Sequence, residues 1–340
     1  MVEYLDGGRI QGTSTLTSSP PATSWKLLAR GTGSGTTVDT GTFTAKDNLM
    51  ILIHSPNGTQ YVRYNNDTGS NYANRRNEEG GSDSAQPSRT SISFTRNSGE
   101  DMFIVGDLVN IAAQEKLGVY HQISENSSGA GNAPKRQEWS HKWANTSDQI
   151  TRVTMTSDSG NYSSDDEVVV LGMDNDEADS GTNFWQELVN SDASSGDHTA
   201  TFTSKKYLLV EFYVENSGSI QPELILGSGG SIDTGNNYCT RYSQNGNSDG
   251  TRTSQDSIES ETNQSSPMYG KFFIINKSDK EKLTFGHWDY QGSAGAGTAP
   301  DRVEVTGKWV NTSAQANILG FKDAGSGSFG ASTLKVWGAD

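Results

Sequence analysis

One cysteine stands in 340 residues, so no intrachain disulfide can staple the chain, and packing and hydrogen bonding must hold it together. Cys239 itself reads as a small buried thiol. No apolar run reaches the roughly 18 residues that a membrane-spanning helix needs. The N-terminus, MVEYLDGGRIQGTSTLTSSPPATS, has no apolar stretch behind a basic start. The expectation is therefore synthesis in a host cytoplasm with no signal peptide and no membrane insertion. Basic residues are also scarce, 26 against 41 acidic, and the resulting charge of −15 argues against a nucleic-acid surface. Catalytic signatures are missing as well: no His-x-x-x-His or Cys-x-x-Cys metal spacing, no Gly-x-Ser-x-Gly and no phosphate loop. The Asp174 to Asp179 run lacks the spaced ligands of a Ca²⁺ loop. No metal, cofactor or catalytic residue is expected, and the protein reads as a non-enzyme, with only the abundance of carboxylates leaving a glycosidase pair open.

What the chain does have is a duplication. The stretch SGAGNAPKRQEWSHKWANTSDQ (128–149) returns as AGAGTAPDRVEVTGKWVNTSAQ (294–315), with Trp143 and Trp309 standing 166 positions apart. The same offset pairs Asn110 with Asn276, His121 with His287, DTGSNYANR (67–75) with DTGNNYCTR (233–241), and Asp174 with Asp340. A period of that size is a domain, not a solenoid repeat. The organisation expected is an N-terminal arm (1–24), a first copy (25–174), a linker (175–184) that is polar, acidic and hinge-like, and a second copy (185–340).

Within each copy the hydrophobic period is two. Short apolar or alternating runs near 47–55, 90–96, 101–110, 116–123, 150–157 and 167–174, with counterparts near 207–215, 271–276, 302–306 and 334–338, predict strands. No stretch offers a capped helix of ten residues; Glu115-Lys116-Leu117 holds a helical turn at most. Each copy is expected to be all-β, an antiparallel β-sandwich of roughly eight to ten strands. Gly/Ser/Asp-rich 77–88 and 243–255 read as long loops.

Two repeated clusters are the candidate sites. Asp67, Asn71, Tyr72 and Arg75, matched by Asp233, Asn237, Tyr238 and Arg241, could bond and stack on a sugar. Equally, the Asp could start an Asx turn, with Gly69 and Gly235 at positive φ and the Tyr and Arg locking the loop. Trp143 with Asn145, and Trp309 with Asn311, read as a structural motif that caps the core. Trp139, Trp288 and Trp337 belong to one copy each, which makes them candidates for a partner or glycan surface, with packing the competing role.

The strings RYNNDTGSNYANRRNEEGG, QEKLGVYHQISENSSGAGNAPKRQEWSHKWANTSDQITRV and VVVLGMD resemble a β-sandwich module of structural proteins of tailed viruses, frequent in viruses of marine bacteria and archaea. The resemblance covers nearly all of both copies. It implies a jelly-roll-like topology and a non-enzymatic virion component, such as a capsid-surface decoration, spike or fibre protein, located in the virion. The alternative function is a glycan-binding module that recognises a host surface, and a polysaccharide hydrolase is the third. Expected partners are other virion proteins and the chain itself as a homo-oligomer, a trimer among the candidates. An extended arm could present Val2 and Tyr4, with Leu5 and Ile10, as an added strand on a neighbour.

Overall fold

A computed structural model of the chain describes residues 3–5, 9–11 and 25–340, apart from 57–58, 96–99, 159, 175–182, 217, 261–262 and 293–294. Among the described residues there is no helix, and every strand pairing is antiparallel. In the arm, β1 (Glu3–Leu5) and β2 (Arg9–Gln11) pair with each other, rather than forming the single extended strand expected. Val2 lies outside the described residues.

The first copy contains β3 (Lys26–Thr32), β4 (Thr37–Asp39), β5 (Asn48–Ser55), β6 (Gln60–Tyr64), β7 (Tyr72–Glu78) and β8 (Ser84–Arg89). It continues with β9 (Ile92–Phe94), β10 (Met102–Val109), β11 (Lys116–Ser124), β12 (Lys135–Trp143), β13 (Val153–Ser157) and β14 (Glu167–Met173). The second copy contains β15 (Gln186–Ala193), β16 (His198–Thr201), β17 (Tyr207–Asn216), β18 (Pro222–Ser228), β19 (Ser231–Ile232) and β20 (Tyr238–Gln244). Its last strands are β21 (Gly250–Gln255), β22 (Met268–Ile275), β23 (Lys282–Tyr290), β24 (Asp301–Trp309), β25 (Ile318–Asp323) and β26 (Phe329–Ala339).

Each copy folds into a large sheet of eight strands and a small sheet of four, in the orders β3-β14-β5-β10-β11-β12-β7-β8 and β4-β13-β6-β9, then β15-β26-β17-β22-β23-β24-β20-β21 and β16-β25-β18-β19. Taking β3, β4, β5, β6, β9, β10, β13 and β14 in chain order, each successive strand crosses between β3-β14-β5-β10 and β4-β13-β6-β9, except at β6 and β9, which pair within the small sheet. That is the connectivity of a jelly roll. The other four strands of the first copy extend the large sheet beyond β10. In the second copy a single bridge from Leu224 to Ile258 stands where β9 stands in the first. The stretches expected as loops at 77–88 and 243–255 are hairpins, β7–β8 and β20–β21. Their exposed outer strands carry no apolar period to reveal them, but the Asn245-Gly246 pair, at φ 51° and 73°, is a hairpin signal in the sequence.

The cores lie between the large and small sheets, around Tyr64, Trp139 and Trp143 in the first copy and Trp288, Trp309 and Phe321 in the second. Aromatic positions differ between copies in a compensated way. Tyr120 lies over its cross-strand partner Gly106, whereas the equivalent pair is reversed, with Phe272 lying over Gly286. One ring fills the site in either copy, since two would overpack it. Ile104 opposite Gln122 becomes Gly270 opposite Trp288, which explains why Trp288 has no counterpart in the first copy.

A Cβ on Gly106 would fall 1.8 Å from the Tyr120 ring, whereas one on Gly131 would meet nothing within 4 Å. Gly106→Ala is expected to lower stability by about 1–3 kcal/mol and Gly131→Ala to leave it unchanged, as read from the denaturation midpoint at constant slope.

Candidate interaction surface

The residues shared by the two copies hold loops in place. Asp67 accepts the Gly69 N–H at 2.8 Å, the Asn71 amide at 2.9 Å and the Trp143 indole N–H at 2.7 Å. Asp233 repeats this with Gly235, Asn237 and Trp309. Burial pushes the Asp67 carboxyl up, but its three donors outweigh that and hold it below its ordinary value. Tyr72 and Tyr238 are buried rings whose hydroxyls donate to Tyr64 O and Leu226 O, so neither offers a face to a sugar. Gly69 and Gly235 do not take the positive φ expected from the sequence. They are glycines because a Cβ would come within 2.7 and 2.8 Å of the Asn71 and Asn237 amides.

Asn145 and Asn311 cap the next turn, their side-chain oxygens accepting N–H groups from Ser147 and Asp148, and from Ser313 and Ala314. Lys116, the first residue of a strand rather than part of a helical turn, lies over the Trp143 ring and donates to Asn145 O at 2.8 Å; Lys282 does the same for Trp309 and Asn311. Asn110 closes the set by bonding Lys46 O, Ile150 O and Ile150 N–H, as Asn276 does in the second copy. The copy-specific Trp139, Trp288 and Trp337 are all buried. Arg75 is exposed near Asp83, whereas Arg241 is pinned by Glu79 and Pro134 O, both of the first copy.

Arg241 thus points to the surface that sequence reasoning missed. The outer faces of the two large sheets pack on each other and form a third apolar core. From the first copy come Met50, Leu52, Phe103, Val105, Ile123, Val169 and Leu171. From the second come Tyr207, Leu209, Ile275, Leu283, Phe285, Trp337 and Ala339. Phe184 and Trp185 join this core, so the end of the expected linker is packed rather than hinge-like; 175–182 lie outside the described residues. The signal was present in β5 and β14, whose apolar runs NLMILIHS and EVVVLGM do not alternate because both of their faces are buried.

Charge rims this core. Arg136 grips Asp249 through two bonds of 2.7 and 2.9 Å and also reaches Glu304 at 2.6 Å and Glu138 at 2.8 Å. Glu138 is raised by burial and by Glu304, while Arg136 and Arg302 overcome burial to keep Glu304 low. Lys308, fully buried, donates to Glu125 O and Ser127 O and pairs with Glu281, which also accepts the Gly129 N–H. Cys239 donates to Asn132 O, and burial pushes its thiol up to about 12, which keeps it protonated and unreactive. On the opposite side Glu167 meets Lys206, Arg30 and the Tyr207 hydroxyl. Such buried pairs are worth most as selectors of one docking geometry, because removing a single partner strands the other charge.

Among the described residues one row joins two hydroxyls through an imidazole, with Ser191 Oγ and Ser332 Oγ each 2.9 Å from a ring nitrogen of the buried His198, and no carboxylate is bonded to that ring. Among the described residues no cluster of three His, Cys, Asp or Glu is placed to hold a metal ion, and no helix is long and apolar enough to cross a membrane. No family model and no curated protein matches the chain. Among solved structures, the paired C2 domains of Extended-Synaptotagmin 2 align over 89% of this chain and 99% of their own, at 7% identity and a TM-score of 0.12. A likeness at that score carries no argument.

Two outcomes follow. Trp143→Ala is expected to cost about 3–5 kcal/mol, as loss of a large buried ring does, measured by urea denaturation. The second concerns pH. His121 stacks on Phe285 and meets His287 at 5.3 Å. Burial, His287 and Arg136 lower its pKa from 6.5 to about 4 against the pull of Glu304. The unfolded chain takes up this proton below about pH 6.5 and the folded chain only near 4, so the stability present above 6.5 is lost as pH falls through that window. His121→Gln should flatten the fall in unfolding midpoint between pH 6.5 and 4; an unchanged slope would exclude His121 from it.

Proposed function

We propose that the protein is a non-enzymatic virion structural component, a capsid-surface decoration, spike or fibre protein, that acts by protein–protein assembly. The observation that carries the reading is the third core: the outer face of the large sheet is apolar and is used to dock one module on another. The likeness of both copies to a module of tailed-virus structural proteins points the same way. So does the use of the repeated Asp, Asn, Trp and Lys residues, all spent on fixing loops. The glycan-binding alternative draws less support, since Tyr72, Tyr238 and the copy-specific Trp rings face inward.

The test is to locate the chain in purified particles by electron microscopy, alongside reducing-sugar release and glycan-array assays on the isolated protein. Density for both modules at a repeating particle position, with no sugar release and no array binding, is the expected result. Absence from particles together with glycan binding would replace this reading with the alternative. Deleting residues 1–12 is expected to reduce incorporation into particles, and unchanged incorporation would remove the arm from the assembly.

A further inference from the structure

The two copies use complementary halves of the same sheet face. In the first copy Phe103, Val105 and Ile123 are buried at the interface, whereas the equivalent positions of the second, Tyr269, Lys271 and Asp289, are uncovered. Conversely, Ile275, Leu283 and Phe285 are buried in the second copy, and their equivalents in the first, Val109, Leu117 and Val119, are exposed by 44%, 57% and 47%. Each module therefore keeps half a face free, and the two free halves differ in chemistry. The free half of the second copy carries Lys271 and Asp289, as a solvated face would. The free half of the first has stayed apolar at the very positions that bury apolar side chains in its twin.

Resting on the assembly reading, we propose that this free half, centred on Leu117 and Val119 of β11, docks on the same half of a second copy of the chain in a two-fold homodimer. Continuity with the interface inside the chain is the first argument, because the module already buries Leu283 and Phe285 against a sheet face. Charge is the second. With a net charge of −15, two chains repel over most of their surfaces, and this depression of about 550 Å³ has Asp107 as the one formally charged residue in its lining. Beside it Lys142, the cross-strand partner of Leu117, is already paired with Glu115 at 2.9 Å, so a copy that meets the apolar positions strands no lone cation at that edge. Docking on the free half of another chain's second copy would instead take Lys271 and Asp289 out of water, a desolvation that apolar contact does not offset. A self-complementary patch closes as an isologous pair, and Trp25 and Met173 at its margin widen the apolar area.

The test uses the full chain. Light scattering is expected to give twice the 36.6 kDa of one chain, and Leu117→Asp with Val119→Asp to return it to 36.6 kDa at an unchanged melting temperature. Both side chains are exposed, so the pair should fold. Independently, Val119→Cys treated with a short bis-maleimide should give a covalent dimer, with the wild type as control, since Cys239 is buried. A wild type at one chain's mass with no Val119→Cys dimer overturns the proposal. So does a multimer whose mass ignores the Asp pair, although that result leaves the assembly reading standing. Dissociation on removal of residues 1–24 but not with the Asp pair would overturn it in favour of the arm as occupant. A dimer whose disruption leaves particle incorporation unchanged would instead count against the virion reading while supporting this contact.

Discussion

A sheet has two faces, and a jelly roll of this shape covers only one of them. The small sheets of four strands lie over the inner faces of large sheets of eight. Strands β5, β10 and β14 are apolar on both sides, and in β5 every residue after Asn48 is buried. At about 25 cal/mol per Å² of apolar surface, leaving that outer face in water would remove a sizeable part of a stability that is only about 5–15 kcal/mol in total. The chain meets the constraint by turning the face of one module onto that of the other. The rest of the interface follows, including the Arg136 and Lys308 networks that select one geometry for an otherwise slippery contact.

Duplication explains how such a face arises and why its halves are unequal. The loop Ser127–Pro134 of the first copy lies on Lys308, Glu281, Cys239 and Arg241 of the second. The corresponding loop of the second copy is exposed from 295 to 300. The copies differ where one is covered by its twin and the other is not, as at Cys239, which meets Asn132 O where the first copy has Ala73, and they differ inside their own cores, where Val305 stands for Trp139 and the Gly106/Tyr120 pair is reversed to Phe272/Gly286.

Much of the fold was legible. Period-two runs, the 166-residue offset and the absence of capped apolar stripes specify an all-β duplicated chain, and the repeated Asp, Asn and Trp marked the loops that need side-chain hydrogen bonds. The hairpins β7–β8 and β20–β21 were hidden because an edge strand exposed on both faces has no apolar alternation, and the Asn245-Gly246 turn was the clue left over. The interface was hidden for a different reason. A residue buried between modules, such as Phe103 or Leu283, has the same hydropathy as one buried within a module, so only the failure of β5 and β14 to alternate could have told the two apart. Partner choice across the two copies, such as Arg136 with Asp249, has no local signature at all.

The central claim is that the third core makes the two modules a single cooperative unit, and scanning calorimetry of the full chain at neutral pH tests it most directly. One transition with calorimetric and van't Hoff enthalpies equal, splitting into two when Phe285→Asp places a charge in that core, is the predicted result. Two independent transitions in the unsubstituted protein would contradict the account.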